Sequence, residues 1–485
     1  MLFWVPAFLL LAAPAGDLEE NVKRFIDVFA LVEEHAADPV PADKAFYEGA
    51  IPGLLKRLDP HSVFFDPAQF EQLQELERSV RKGFGSVVSV LPGRVIVLQT
   101  LPGTPSARSG IGPGDEIVAI NDIALDRLET EQLVALLAQS RQRQVHLVVR
   151  RPGNARLLEF VLTPEEMQSN SVERTFMLDG GIAYLRVASF DASTGKEIRD
   201  AIERMGGASL KGVILDLRNN TGGVMTAALD TASLFLKPGQ KILSIRGRAS
   251  EAKDIDVPAT ASPYSFPVAV LINEKTASSS EIVAGALQDH DRGIIIGEPS
   301  FGKGLVQSVY PLSGNSGLAL TTAFYYTPSG RSIQKPLRTG QLGESIASSG
   351  SSQEYATDSG RKVSGGGGIQ PDIVVYPEVN SRLGVVIEAT ASFPSFATQY
   401  LQRVGKVPEN FEVTPEILDE FQFFLSQRNI RPGIAEWSRD RDWIQSRLKQ
   451  EILNQAVSVE KGDEVEVRRD PVVRRALAEL AKAGA

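Results

Sequence analysis

Between residues 175 and 335, short continuous apolar runs alternate with helical patterns, and this alternation limits the possible folds more than any other feature of the chain. GIAYLRVASF is followed by the amphipathic STGKEIRDAIERM, then by GVILDLR and, further on, by the apolar run GIIIG at 293–297. Strands that are apolar without alternation bury both faces, the condition of a parallel sheet covered by helices. The expected fold class is an α/β core, mixed and largely parallel in its sheet, over residues 167–378. A small β-rich module precedes it, and helical regions flank both ends.

Inside this core a serine cluster, Ser278 to Ser280, stands directly before the apolar-periodic Ile282, Val283, Ala286 and Leu287. Glu281, three residues after Ser278, completes the S-x-x-E pattern of a helix N-terminus. Backbone N–H groups there have no intrahelical partner and lie at the positive end of the helix dipole. They suit an oxyanion if Ser278 attacks a carbonyl. Taken alone, the pattern describes an N-cap serine.

A nucleophile needs a base. Of the four histidines only His290 is near in sequence, and twelve residues along one helix place it ~18 Å away. A lysine can serve where burial favours its neutral form. Lys303 follows the apolar strand in F-G-K-G, between two glycines that permit close backbone approach. Gln307 lies four residues on in the extended run LVQSVY, on the same strand face, where its amide can orient the amine.

This stretch resembles the catalytic core of the carboxyl-terminal processing, or tail-specific, proteases, whose pattern is S-x-S-x-S-E-I…G-x-x-x-F-G-K-G-x-x-Q. The resemblance implies a Ser–Lys dyad with Ser278 as nucleophile, Lys303 as base and Gln307 as the assisting third member. Thr276 replaces the first serine of the triplet and keeps its hydroxyl. The family's D-L-R-x-N-x-G-G matches Asp216 to Gly223, with Thr221 where proline is common. It implies an oxyanion hole from the N–H of Ser279 and of Gly222 or Gly223. T-P-S-G-R-S-I-Q-K-P from Thr327 and G-G-G-I-Q-P-D-I from Gly366 also match. The segment LDPHSVFFDP, Leu58 to Pro67, resembles the family's amino-terminal motif; its His61 and Asp66 read as parts of a turn with a capping aspartate.

Residues 81–166 form the β-rich module. TPSARSGIGPGDEIVAIN, from Thr104 to Asn121, resembles bacterial PDZ domains, which bind an extended peptide by strand addition. The resemblance makes Gly83, Phe84, Gly85 and Ser86 the turn that captures a terminal carboxylate. The implied function is a serine endopeptidase that selects protein substrates by a free, apolar C-terminus.

Two other readings compete. G-E-P-S-F-G-K, Gly297 to Lys303, fits most of a phosphate-binding P-loop. Gly304 follows it, however, where a hydroxyl is needed for Mg²⁺, and the next residues are β-like rather than helical. The second alternative is an inactive PDZ peptide-binding scaffold, which has no use for Ser278, Lys303 and Gln307 together.

Composition narrows the rest. A net charge of −9 without a basic run argues against nucleic acid as a partner. Cysteine is absent, which excludes disulfides and thiolate sites, and four scattered histidines show no metal-ligand spacing, so neither metal nor cofactor is expected. Residues 1–16, with an apolar run before Ala13-Pro14-Ala15, read as a signal peptide and imply a periplasmic or otherwise extracytoplasmic location. Left uncleaved, that segment would associate the chain with a membrane. Residues 17–80 are helical in pattern, 337–364 read as a flexible insertion rich in Ser and Gly, and 379–485 as a helical extension. The helical ends are the expected route to a homo-oligomer.

Overall fold

Val268–Ile272 is buried at all five positions, and Gly293–Gly297 is nearly so. With no solvent face on either strand, they pair in parallel, in register from Val268 opposite Gly293 to Ile272 opposite Gly297. Ile373–Val374 extends the same parallel ladder on the far edge of Gly293–Gly297. The crossover between the first two strands is helix Ser279–Asp289, buried at every residue. A helix buried on every face, polar residues included, is an internal element, so the segment starting at Ser278 is enclosed by other parts of the fold.

The computed structural model describes residues 2–4, 15–38, 40–77, 80–91, 93–151, 153–168, 170–248, 250–337 and 354–483. They divide into two compact units, Met1–Ser79 with Arg186–Ser209 and Leu215–Val374, and Val80–Leu185 with Leu210–Ile214 and Val375–Ala485. The helical N-terminal residues thus fall in one unit with the serine and lysine segments.

A second sheet in the first unit is largely antiparallel and supplies the mixed character expected of the core. Leu305–Leu312 and Ser316–Tyr326 form an antiparallel hairpin across the short turn Ser313–Asn315. A connection of three residues cannot return a chain in parallel, which requires a crossover of a dozen or more. Lys241–Gly247 and Ser250–Asp256 continue this sheet antiparallel, and Val63–Phe65 pairs with Gly317–Ala319. Leu2–Trp4 lies parallel to Gln307–Val309. The rest of the expected signal peptide, apart from Ala15 and Gly16 at the start of helix Ala15–His35, lies outside the described residues.

The flexible insertion expected at 337–364 is corrected in part. Residues 338–353 lie outside the described ones, but Tyr355–Ala356 and Lys362–Val363 make a short hairpin. Arg361 pins it, donating to Asp291 at 2.6 Å and pairing with Asp372.

In the second unit, Ser86–Leu91, Arg94–Thr100, Glu116–Ile120, Val145–Arg150 and Leu158–Leu162 form an antiparallel sheet around Val95, Val97, Ile117, Leu133 and Val149. Its C-terminal residues are helical. Phe393 stacks on Phe421 with centroids 5.2 Å apart, and both pack among Ile444, Leu448 and Ile452 of helix Ile434–Ala456. Among the described residues no helix is long and apolar enough to cross a membrane.

Candidate active site

Glu281 organises the region around Ser278. Its carboxylate is fully buried and takes four donors from the main chain and one side chain of two separate segments. One oxygen accepts the Gly302 N–H at 2.7 Å and the Ser300 hydroxyl. The other accepts the N–H of Ser278 and that of Lys303, each at 2.9 Å. Sharing one oxygen, the two backbone nitrogens can be no further apart than twice that distance. Burial pushes the Glu281 pKa up, while its hydrogen bonds, led by that from Ser300, favour the anion.

Ser278 sits in the turn between Val268–Ile272 and the buried helix with φ 55° and ψ −117°, a left-handed conformation costly for a residue with a side chain. Its hydroxyl does not cap the helix. The Ser278 carbonyl accepts the Glu281 N–H at 2.8 Å and Glu281 caps in return, while Ser278 Oγ is buried without a hydrogen-bond partner among the described residues. Tyr325, fully buried, donates its hydroxyl to the Ser278 carbonyl at 3.3 Å. The N-cap function expected from the S-x-x-E pattern is therefore carried by main chain and Glu281, and the serine hydroxyl is left over.

The turn after Gly212–Asp216 packs against this serine. Asn220 accepts the Ala277 N–H and the Ser280 hydroxyl on its carbonyl, both at 3.0 Å. A Cβ on Gly222 would lie 2.8 Å from Ser278 Cβ and 2.9 Å from Ser279 N, so only glycine allows this approach. The Gly222 N–H is engaged by Asn220 Oδ1 at 2.8 Å. Among the described residues the N–H groups of Gly223 and Ser279 have no acceptor. Thr276 donates its hydroxyl to the Leu217 carbonyl at 2.9 Å, which ties the serine turn to the D-L-R strand.

Lys303 Nζ donates to Gln307 Oε1 at 2.6 Å, so the structure brings these two expected site residues together. Lys303 and Ser278 are joined through Glu281, but their side chains share no hydrogen bond. Catalytic hydrogen bonds commonly tighten only once substrate is bound. Burial lowers the Lys303 pKa, against the nearby carboxylates of Asp59 and Glu281, which raise it. The Lys303 loop is held from outside by two of the other motifs. Gln334 Oε1 accepts the Gly304 N–H at 2.8 Å, Lys335 donates to the Ser300 carbonyl at 2.8 Å, and Ser300 and Ile369 exchange main-chain and hydroxyl bonds. Leu305–Leu312, immediately after Gly304, is strand, as the rejection of the P-loop requires. His290 caps the far end of the buried helix and contacts Asp358 and the Lys241 carbonyl.

The sequence reading missed one part of the site. The turn Asp59–Ser62 was expected only as a capped turn, yet the His61 carbonyl accepts from Gln307 Nε2. No side-chain pattern signals a main-chain carbonyl. The buried Asp59 that shapes the turn was the available clue. Asp66, by contrast, caps helix Pro67–Glu77 by accepting the Gln69 N–H at 2.8 Å, as expected.

Gly83, Phe84, Gly85 and Ser86, expected to form a carboxylate-capture turn, lie in the second unit. Gly83 ends strand Val80–Gly83, and Ser86 opens the next strand. Gly85 has φ 76°, and a Cβ on it would lie 2.3 Å from the Thr104 side chain. Phe84, Val88, Ile111, Leu137 and Leu147 line an apolar pocket beside the turn, with Arg141 among its polar members.

Comparison with known proteins assigns the chain to a family. Residues 181–339 match the model of peptidase family S41, and residues 96–151 match a PDZ domain. The carboxy-terminal-processing protease of Bartonella bacilliformis is 35% identical over 320 residues, covering 65% of this chain and 73% of that protein. Carboxyl-terminal-processing peptidase 2, chloroplastic, of Arabidopsis thaliana is 34% identical over 291 residues, 57% of this chain and 56% of its own length. Carboxy-terminal processing protease CtpA of Bacillus subtilis is 30% identical over 294 residues, 60% and 62% respectively. The chain thus spans less than two thirds of the latter two relatives. It belongs to the carboxy-terminal processing proteases, serine peptidases of family S41 that carry a PDZ domain.

The role of Glu281 is open to direct measurement. In Glu281→Gln one acceptor oxygen becomes a donor facing donors, leaving buried groups unpaired at about 1–3 kcal/mol each. Urea unfolding should show a lower midpoint than wild type. An unchanged midpoint would rule out the carboxylate as the tether between the two segments.

Proposed function

We propose that the chain is an endopeptidase in which Ser278 attacks the peptide carbonyl, Lys303 is the general base and Gln307 orients Lys303. The observation that carries this reading is the pairing of two unusual groups on one carboxylate. One is a strained serine whose hydroxyl has no hydrogen-bond partner among the described residues, and the other a lysine whose amine is desolvated and aimed by an amide. Neutral Lys303 takes the proton from Ser278 Oγ as the new C–O bond forms. The carbonyl oxygen becomes an oxyanion facing the N–H of Ser279 and Gly223, the two left without acceptors. Since Asn220 already occupies the Gly222 N–H, Gly223 is the glycine we assign to the hole. Collapse of the tetrahedral adduct expels the amine, which receives the proton from Lys303, and water then repeats the sequence on the acyl-enzyme.

The PDZ domain supports selection by C-terminus. Its glycine turn suits a terminal carboxylate, and the adjoining apolar pocket suits an apolar last side chain. A non-catalytic peptide-binding scaffold would not need a desolvated lysine next to an unpaired serine hydroxyl. The leader-like residues 1–16 support a periplasmic location, so the mature chain, beginning near Ala15, should be recovered from the periplasmic fraction. Recovery of the uncleaved chain from cytoplasm alone would refute it.

Ser278→Ala and Lys303→Ala should each abolish cleavage in a folded protein, because nucleophile and base act as a unit. Lys303→Arg should be equally inactive, since guanidinium does not lose its proton. In wild type, kcat should rise with pH and level off above a value lower than that of an ordinary lysine, as the depressed amine becomes neutral. Cleavage by Ser278→Ala at the wild-type rate would sink the mechanism.

Amidating the C-terminus of a cleaved peptide should raise KM strongly, because an amide cannot replace a carboxylate among N–H donors. Equal cleavage of the free and amidated peptides would show that the domain reads something other than the terminus.

A further inference from the structure

The turn Asp59–Ser62 lies in the first unit, against the strand that bears Gln307. Asp59 is 2% exposed and saturated with donors. One carboxylate oxygen accepts the N–H of His61 at 2.7 Å, the N–H of Ser62 at 2.8 Å and the Thr321 hydroxyl at 3.1 Å. The other accepts the Ser62 hydroxyl at 2.7 Å. Ser62 Oγ in turn accepts the Thr321 N–H at 3.1 Å. Thr321 stands directly opposite Gln307 in the antiparallel ladder. The turn is thus fastened to the cross-strand neighbour of the residue whose side chain it meets. That meeting is the bond from Gln307 Nε2 to the His61 carbonyl.

We propose, resting on Lys303 as the base, that Asp59 is a positioning residue: it holds the His61 carbonyl that forces Gln307 to present its amide oxygen to Lys303. A carbonyl can only accept, so the NH₂ end of the planar amide must face it, and Oε1 is left for the lysine. This direction matters because a neutral amine has a single lone pair. Donating an N–H to Oε1 leaves the lone pair free for the Ser278 proton. With the amide turned by half a rotation, its NH₂ would donate to that lone pair and occupy it. The ionisable groups around the Lys303 amine are the carboxylates of Asp59 and Glu281 and the imidazole of His61, whose pKa is lowered by burial and by Lys303. Removing the Asp59 charge therefore carries a second signature, easier deprotonation of Lys303.

The test compares cleavage of one peptide by the full chain carrying Asp59→Ala, Gln307→Ala, both together, or Asp59→Asn. General-base catalysis contributes about 10²-fold or more, so Asp59→Ala should lower kcat by at least about tenfold, with KM within about twofold. The double variant should be no slower than Gln307→Ala, because Asp59 acts through that side chain. Asp59→Asn keeps an oxygen for the His61 and Ser62 N–H groups. It should recover most of kcat and move the rising limb of the kcat–pH profile to lower pH. If Asp59→Ala does not fold, Asp59→Glu, which keeps the charge but displaces the oxygens that hold His61 and Ser62, takes its place in the same cycle with Gln307→Ala. Single effects that multiply in the double variant, or an Asp59→Asn variant as slow as Gln307→Ala, would overturn the proposal. An active Ser278→Ala would instead remove the reading beneath it, so the two failures are distinguishable.

Discussion

One buried carboxylate holds the functional region of this chain together. Glu281 accepts from Ser278, Ser300, Gly302 and Lys303, residues that lie on either side of helix Ser279–Asp289 and strand Gly293–Gly297. A buried anion is costly unless its acceptor sites are filled, and here the donors come from both the serine turn and the lysine loop. Correct folding of the serine turn and correct folding of the lysine loop therefore satisfy one another. The strained backbone at Ser278 persists on the same basis. Its N–H, its carbonyl and the helix that follows are all fixed by other groups, which leaves the hydroxyl free.

The motifs around this centre have a common physical purpose. Asp216 is fully buried and paired with Arg186 at 3.1 Å and Arg218 at 2.6 Å, which anchors the strand end that leads to the Gly222–Gly223 turn. Arg331, also fully buried, pairs with Asp289 at the end of the serine helix, and Gln334 and Lys335 a few residues on hold the lysine loop. These charged and amide groups act as cross-braces between elements distant in sequence. Their value lies in directional bonds, since a buried pair contributes little net stability by itself.

Much of the core was legible from local patterns. Buried strands announced themselves as unbroken apolar runs, and the family resemblance pointed to Lys303 and Gln307, which the structure joins by a hydrogen bond. What escaped belongs to three kinds of interaction. The antiparallel second sheet was hidden because strand direction is set by the turn Ser313–Asn315 and by pairing partners, not by the apolar pattern of LALTTAFYY. The hairpin Tyr355–Val363 was hidden because Ser- and Gly-rich sequence reads as loose chain, while Arg361 supplies the anchor from outside the pattern. The His61 carbonyl was hidden because main-chain groups have no residue type.

The bond from Gln307 to His61 spans 246 positions of chain. Contacts of such separation form after local ones, because the loop entropy must be lost before the contact rewards it. During synthesis the N-terminal turn emerges first and waits through the whole of the β-rich module and most of the core before its partner exists. The bond between Gln307 and His61 can therefore close only once the chain from Asp59 through Gln307 is in place. A nascent or truncated chain holds the serine, or even the lysine, without their final alignment. A protease built this way keeps time by its own topology: its cutting edge is among the last things to be assembled.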